Sequence, residues 1–313
     1  MLFRSVGRHD NFFDLGGHSL LIVQMIERMR QQGLHAEVSS VFTAPSVAAL
    51  AAVTGQGQAL LEVPANAIPE GANRIEPQML PLVQLSQEEI DAIVGQVPGG
   101  AGNVQDIYPL APLQQGILFH HLLNPQADAY IMPALLRLPD EGRLQAFVKA
   151  LQMVVQRHDI LRTAVQWEGL KQPVQVVSRQ AQIPVQEHEA GSDEQALEVM
   201  KALADRQQLR MDLGKAPLLQ AHVSREPQGG RCYLLLLLHH IITDHVSLEI
   251  ILGEVDALLR GQGEELPEPV AFRDFVAQAL VQSDSEEDEA YFREQLGRSE
   301  EHTSELQSHS DLV

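Results

Sequence analysis

Aromatic side chains make up only 4% of this chain, and acidic residues outnumber basic ones by 42 to 22, a net charge of −20. A nucleic acid or an anionic membrane needs positive charge opposite its phosphates, and a single strand also needs rings to stack on, so this balance argues against both partners. Cysteine occurs once, at Cys232, which rules out an internal disulfide and any CxxC metal site and fits a reducing cytoplasm. Long apolar runs are missing too. None approaches the roughly 20 residues of a membrane-spanning helix, and Met1-Leu2-Phe3-Arg4 is too short for a signal peptide. These absences predict a soluble, cytoplasmic protein. Its 313 residues allow two domains, and an apolar content of 44% permits real cores.

The chemistry concentrates in His239-His240-Ile241-Ile242-Thr243-Asp244-His245. The unbroken apolar run before it, residues 234–238, reads as a strand buried on both faces. After it, Leu248, Ile251, Leu252, Val255, Leu258 and Leu259 recur at helical spacing. Two histidines and a carboxylate thus occupy a strand-to-helix loop, where rigid flanks hold catalytic groups. An imidazole, with an ordinary pKa of about 6.5, is the side chain best suited to take a proton near neutrality. The residues alone leave three readings open: general-base chemistry, a zinc site, and core histidines satisfied by backbone.

A second dense segment is Asp10-Asn11-Phe12-Phe13-Asp14-Leu15-Gly16-Gly17-His18-Ser19-Leu20. Its two glycines permit a tight turn, and Ile22, Ile26 and Met29 mark a helix that begins at Ser19. A phosphodiester on that hydroxyl would face free amides and the positive end of the helix dipole; the plainer role is a helix cap.

Four segments, in order, resemble the condensation domains of nonribosomal peptide synthetases. Tyr108-Pro109-Leu110-Ala111-Pro112-Leu113-Gln114-Gln115-Gly116 is similar to their opening motif, and Arg157-His158-Asp159-Ile160-Leu161-Arg162-Thr163 to RHxxLRT. Residues 239–244 resemble HHxxxDG, with His245 in place of Gly, and Phe272-Arg273-Asp274-Phe275-Val276 the later YxDF motif. Residues 10–20 resemble the DNFFxLGGHSL signature of peptidyl carrier proteins. The resemblance implies an α+β chain: a small helical carrier bundle, incomplete because its usual first helix is absent, then an α/β lobe like chloramphenicol acetyltransferase. It also implies 4′-phosphopantetheine, attached covalently to Ser19 by a phosphopantetheinyl transferase. The implied partners are aminoacyl or peptidyl thioesters on carrier domains, and adjoining adenylation and carrier domains of the same assembly line.

On this basis the carrier occupies residues 6–53, a linker rich in Gly, Pro, Ala and Gln occupies 54–81, and the N-terminal lobe alone of a condensation domain occupies 82–297. Pro45 opens the last short carrier helix, through Val47, Leu50 and Val53. Ser86 with Glu89 forms a capping-box pattern for a helix over residues 85–94. Residues 115–123, 144–157 and 194–209 read as helices, and 174–177 and 183–185 as strands, an α/β layering. Both ends look foreign. Arg298-Ser299-Glu300-Glu301-His302-Thr303-Ser304-Glu305-Leu306-Gln307-Ser308 reads as the in-frame translation of a common sequencing adapter beginning AGATCGGAAGAGCACACG. From a GTG start, the reverse complement of that adapter encodes Met1-Leu2-Phe3-Arg4-Ser5. Residues 1–5 and 298–313 are therefore expected to be adapter-derived. With one lobe of two, the chain is expected to lack a complete active site and to expose apolar surface.

Residues His120-His121-Leu122-Leu123-Asn124-Pro125-Gln126-Ala127-Asp128 resemble the HH[I/L]xxxxGD signature of dual epimerisation and condensation domains, with Ala127 for Gly. Without the family, the two histidines read as packing or solvent-facing residues of a helix. With it, the implied chemistry is inversion of the last residue on the Ser19 thioester from L to D, then condensation with a downstream aminoacyl thioester. His240 is then the candidate to orient or deprotonate the attacking amine and to serve the inversion. His239 shapes the loop, Asp244 makes an ion pair with Arg157 or Arg162, and His121 and Asp128 contribute to the epimerase step. No metal is required. The rivals are an ordinary condensation domain for a D-configured donor, a zinc hydrolase, and a carrier module alone.

Overall fold

A computed structural model describes residues 6–18, 38–54, 63–205 and 209–283, with 21–22, 25–26, 28–29, 32–34 and 36 between the first two stretches. The two ends read as adapter-derived lie outside the described residues. The chain divides into two units, residues 1–62 and 63–313.

In the first unit every described regular element is helical. Residues 21–22, 25–26 and 28–29 precede α1 (Val38–Thr43) and α2 (Val47–Val53). Ser46 caps α2 by accepting from the Ala49 amide at 3.3 Å, directly after Pro45, where the sequence places a helix start. Ile22, Val41 and Leu50 centre a small core. Ahead of it, the Asn11 side chain accepts from the Phe13 amide and the Gly17 amide bonds back to the Phe12 carbonyl. Gly16 has φ +92°, and a Cβ on Gly17 would lie 2.2 Å from the Phe12 ring, so only glycine closes this turn.

The second unit begins earlier than the composition suggests. Residues 63–81, read as linker, contribute Ile68, Ile75 and Leu80 to a buried cluster with Ile90 and Ile93 of α3 (Gln87–Gln96). Residues 63–81 therefore belong to the second unit. Apolar residues without a period can dock singly on a surface built by other elements, which is why Pro and Gly content misled. α3 opens with the expected capping box between Ser86 and Glu89.

The remaining order is β1 (Val104–Pro109), α4 (Pro112–Leu123), β2 (Ile131–Leu138), α5 (Glu141–Arg157), β3 (Thr163–Gln166), β4 (Val174–Ser178), β5 (Val185–His188), α6 (Asp193–Leu203), β6 (Leu219–Arg225), β7 (Cys232–His239), α7 (His245–Leu259) and α8 (Phe272–Ser283). A small antiparallel sheet has the order β1-β4-β3. A larger one has β2-β7-β6-β5, with only β5 and β6 parallel. β7 is buried at all eight positions, as its leucine run requires. The apolar faces of α5, α6 and α7 share one core with this sheet. β5 starts where the expected strand was to end. Ile183 instead docks on α5, its amide bonded to Gln152. α6 stops at Leu203, short of the expected end; residues 206–208 lie outside the described residues, and Leu209 returns as extended chain. α4 leaves Leu113, Phe119, Leu122 and Leu123 exposed.

α8 is tied down by charge. Asp159 accepts from the Phe272 amide at 3.0 Å, and the buried Arg273 guanidinium meets Asp106 at 2.7 Å and the Pro64 carbonyl at 2.7 Å. Burial pushes the Asp106 carboxyl up to about 6, against the pull of Arg273. The folded protein thus binds this proton more tightly than the unfolded chain, so the Asp106 contribution to stability falls as pH rises from about 4 to about 6. Asp106→Asn should flatten that slope. Arg273→Ala should cost about 3 kcal/mol at neutral pH by stranding a buried carboxylate, and pairing it with Asp106→Leu should recover most of the loss, as read from urea unfolding midpoints.

Candidate functional site

The register of the large sheet brings the site together. His239, the last residue of β7, lies opposite Ile131, the first of β2, so the turn from α4 into β2 runs alongside it. Asn124 folds that turn by accepting from the amides of Gln126 and Ala127, and the Asp128 amide bonds to the Leu209 carbonyl at 2.8 Å. No described residue other than glycine has positive φ, so Ala127 and His245 occupy their places without backbone strain where the resembling motifs have glycine.

Asp128 Oδ2 lies 2.5 Å from His121 Nδ1 and 2.9 Å from His239 Nε2, while Oδ1 accepts from the Tyr130 amide at 2.9 Å. All three side chains are buried, His239 completely. The partners determine the protons. Arg210 Nη2 faces His121 Nε2 at 3.2 Å and can only donate, so the ring proton of His121 sits on Nδ1. The Ile241 amide donates to His239 Nδ1 at 3.1 Å, so that proton sits on Nε2. Two neutral imidazoles therefore donate to one carboxylate. Burial pushes the Asp128 carboxyl up, but the bonds from His121 and His239 outweigh it and hold the group well below the usual carboxylate range. The same three residues are close enough to ligate a cation. Every ring nitrogen is already engaged, however, so an ion would have to displace hydrogen bonds to bind.

His240 faces the other way. Its Nδ1 lies 2.7 Å from the Thr243 carbonyl, which only accepts, so Nδ1 carries a proton and the lone pair of the neutral ring is on Nε2. The His240 amide bonds to the Tyr130 carbonyl at 2.8 Å, and the Ile241 carbonyl accepts from Gln114 Nε2 at 2.9 Å. Gln114 pairs in turn with Gln175 of β4 and anchors the loop to the small sheet. Its role escaped the sequence reading, and the doubled glutamine of the opening motif was the available signal.

Asp244 makes no ion pair with Arg157 or Arg162. It caps α7, accepting from the Ser247 amide at 2.7 Å. Burial raises its carboxyl, but the bonds from Ser247 and the nearby His240 bring it below the ordinary value. Arg157 binds Glu254 at 3.1 Å and the Pro267 carbonyl, while His158 reaches Glu254 at 2.9 Å. Arg162 donates to Gln105 and to the carbonyls of Ser178 and Arg179. Both arginines are thus spent on other acceptors, and a cap needs no cation. His245, the first residue of α7, is exposed and lies 3.3 Å from Glu249. Of the predicted residues, His121, Asp128 and His239 form one cluster, and His240 and Asp244 stand outside it.

The two-sheet lobe with helices packed on it has the chloramphenicol-acetyltransferase-like fold of condensation domains. Residues 104–311 match the condensation domain family and residues 4–53 the phosphopantetheine attachment site family. The chain belongs to the condensation domain family of nonribosomal peptide synthetases, with a carrier domain ahead that takes covalent 4′-phosphopantetheine. Malpibaldin synthetase of Mortierella alpina is 43% identical over 316 residues, covering 98% of this chain and 6% of that protein. Malpinin synthetase of the same organism is 43% identical over 292 residues, covering 93% of this chain and 4% of that protein. The chain thus spans about 6% or less of the length of these relatives. The EpoB NRPS cyclization-docking bidomain from Sorangium cellulosum shares the fold, with a TM-score of 0.52 at 19% identity over 61% of this chain and 39% of that one. In the carrier the Ile22 amide bonds to the His18 carbonyl at 3.1 Å. Ser19 itself lies outside the described residues. Among the described residues no helix is long and apolar enough to cross a membrane.

Because Asp128 is held below its ordinary value, its stabilising share is present above the usual carboxylate range and lost as pH falls through the depressed value. Asp128→Asn should remove that acid-side slope and cost about 2 kcal/mol at neutral pH, since an amide cannot accept both ring protons. Urea unfolding at several pH values checks both effects.

Proposed function

We propose that this segment acts in nonribosomal peptide synthesis. Ser19 bears the phosphopantetheine arm with an aminoacyl or peptidyl thioester; the condensation domain inverts its last residue from L to D and joins it to a downstream aminoacyl thioester. The observation that carries the reading is the tautomer of His240: with Nδ1–H held by Thr243, Nε2 is a base at the loop surface. The arm supplies a thioester linkage, which acidifies the neighbouring α-hydrogen and activates the carbonyl. His240 Nε2 takes the α-proton, and a proton returned on the opposite face completes the inversion. In condensation the acceptor amine attacks the carbonyl. The C–N bond forms, the C–S bond breaks, and the amine proton passes through His240 to the departing thiolate. His239, His121 and Asp128 hold the loop rather than touch substrate. The likeness of residues 120–128 to the dual signature supports the inversion step, because His121 and Asp128 build the support beneath the catalytic loop.

In this proposal the carrier covers residues 6–53 and the condensation lobe runs to residue 297. Its partners are a phosphopantetheinyl transferase and adjoining adenylation and carrier domains in the cytoplasm. The test uses a synthetase containing this segment, loaded with an L-aminoacyl thioester at Ser19 and supplied with a downstream acceptor. A dipeptide with a D-configured donor residue, reduced at least about 100-fold in rate by His240→Ala, is the expected result. An L-configured product, or a requirement for a D-loaded donor, would limit the domain to plain condensation. Full activity in the His240→Ala protein would overturn the assignment of the base.

A further inference from the structure

The Thr243 carbonyl holds the His240 ring at a single atom, and a ring pinned at one hydrogen bond can still swing about it. A base that transfers protons at a defined carbon needs its plane set as well. Among the described residues, the side chain that lies along that plane is Tyr130. The two rings form an offset parallel stack, with centroids 6.3 Å apart and planes inclined by only 12°.

We propose that Tyr130 is a positioning residue for His240: its ring sets the plane of the imidazole and so the direction of the Nε2 lone pair. This inference rests on the reading of His240 as the base. Tyr130 is suited to the task because its own backbone is fixed at both ends. Its amide donates to Asp128 Oδ1 at 2.9 Å, and its carbonyl accepts from the His240 amide at 2.8 Å. The ring therefore stands on the same carboxylate that binds His121 and His239, and it is joined to His240 through backbone as well as by stacking. His120 lies beside the Tyr130 ring, with centroids 6.0 Å apart, and Phe119 lies beside His120 at 5.8 Å, so further rings back the platform. The chemistry asked of position 130 is a flat aromatic face. The phenol hydroxyl has no part in it.

Two variants separate the face from the hydroxyl. Three-bond couplings and nuclear Overhauser contacts of the His240 ring, measured in the full chain, should report one ring orientation in the native protein and in Tyr130→Phe, but averaged orientations in Tyr130→Leu. Retained amide dispersion in Tyr130→Leu would show that the fold survives. In a synthetase containing this segment, Tyr130→Leu should lower kcat by about 10- to 100-fold with the acceptor KM within about twofold, and Tyr130→Phe should restore kcat to within about twofold. An unchanged His240 spectrum and kcat in Tyr130→Leu would overturn the proposal, as would a Tyr130→Phe protein as impaired as Tyr130→Leu. The NMR result does not depend on peptide synthesis. A fixed ring orientation together with full activity of His240→Ala would therefore refute the choice of base while leaving the ring contact in place.

Discussion

One carboxylate organises the site. Asp128 is buried where an unpaired charge would be prohibitive, and it stays ionised because two ring N–H groups and one backbone N–H converge on it. Each donor comes from a different element: His121 from the end of α4, His239 from the end of β7, and Tyr130 from the entry to β2. The convergence locks the strand-to-helix loop to the large sheet, and His240 inherits its position from this lock. His240 follows His239 directly, and its amide is tied to the residue whose amide Asp128 holds.

Around this centre the other motif residues are braces. Gln114 and Gln175 clasp the loop carbonyl from the small sheet. Glu254 of α7 gathers Arg157 and His158 at the end of α5. Asp159 caps α8, and Arg273 ties α8 to β1 through Asp106. Such a shell is what a proton-transferring group requires, since a small displacement of the base is costly and a loop alone is soft. The division of labour between the paired histidines has the same origin. Alternation along an extended chain turns His239 into the interior, where both its nitrogens are consumed, and leaves His240 with one nitrogen uncommitted.

Much of the fold was legible because the signals are local. The leucine run of β7, the helical spacing of α5 and α7, and the Ser86–Glu89 cap need no distant partner to be recognised. Where partners are distant, legibility failed. Residues 63–81 carry no period, and their burial depends on α3 and the small sheet being in place. Asp244 was read as half of an ion pair, yet a cap to its own helix satisfied it more cheaply than reaching across the domain. His121 and Asp128 were read as contributors to an epimerase step; the structure joins them by a hydrogen bond, and nothing near them in the chain pointed to His239 as a shared partner.

The sequence by itself determined the family, the long helices and the buried leucine strand, because periodicity, caps and motifs are written over spans of a few residues. Only the tertiary structure decided which nitrogen of each histidine carries the proton. That follows from bonds between residues far apart, such as His239 and Asp128, which are 111 positions from each other. Proton placement in an imidazole is set by whatever the second nitrogen meets, and that neighbour is supplied by the packing of sheet, helix and turn.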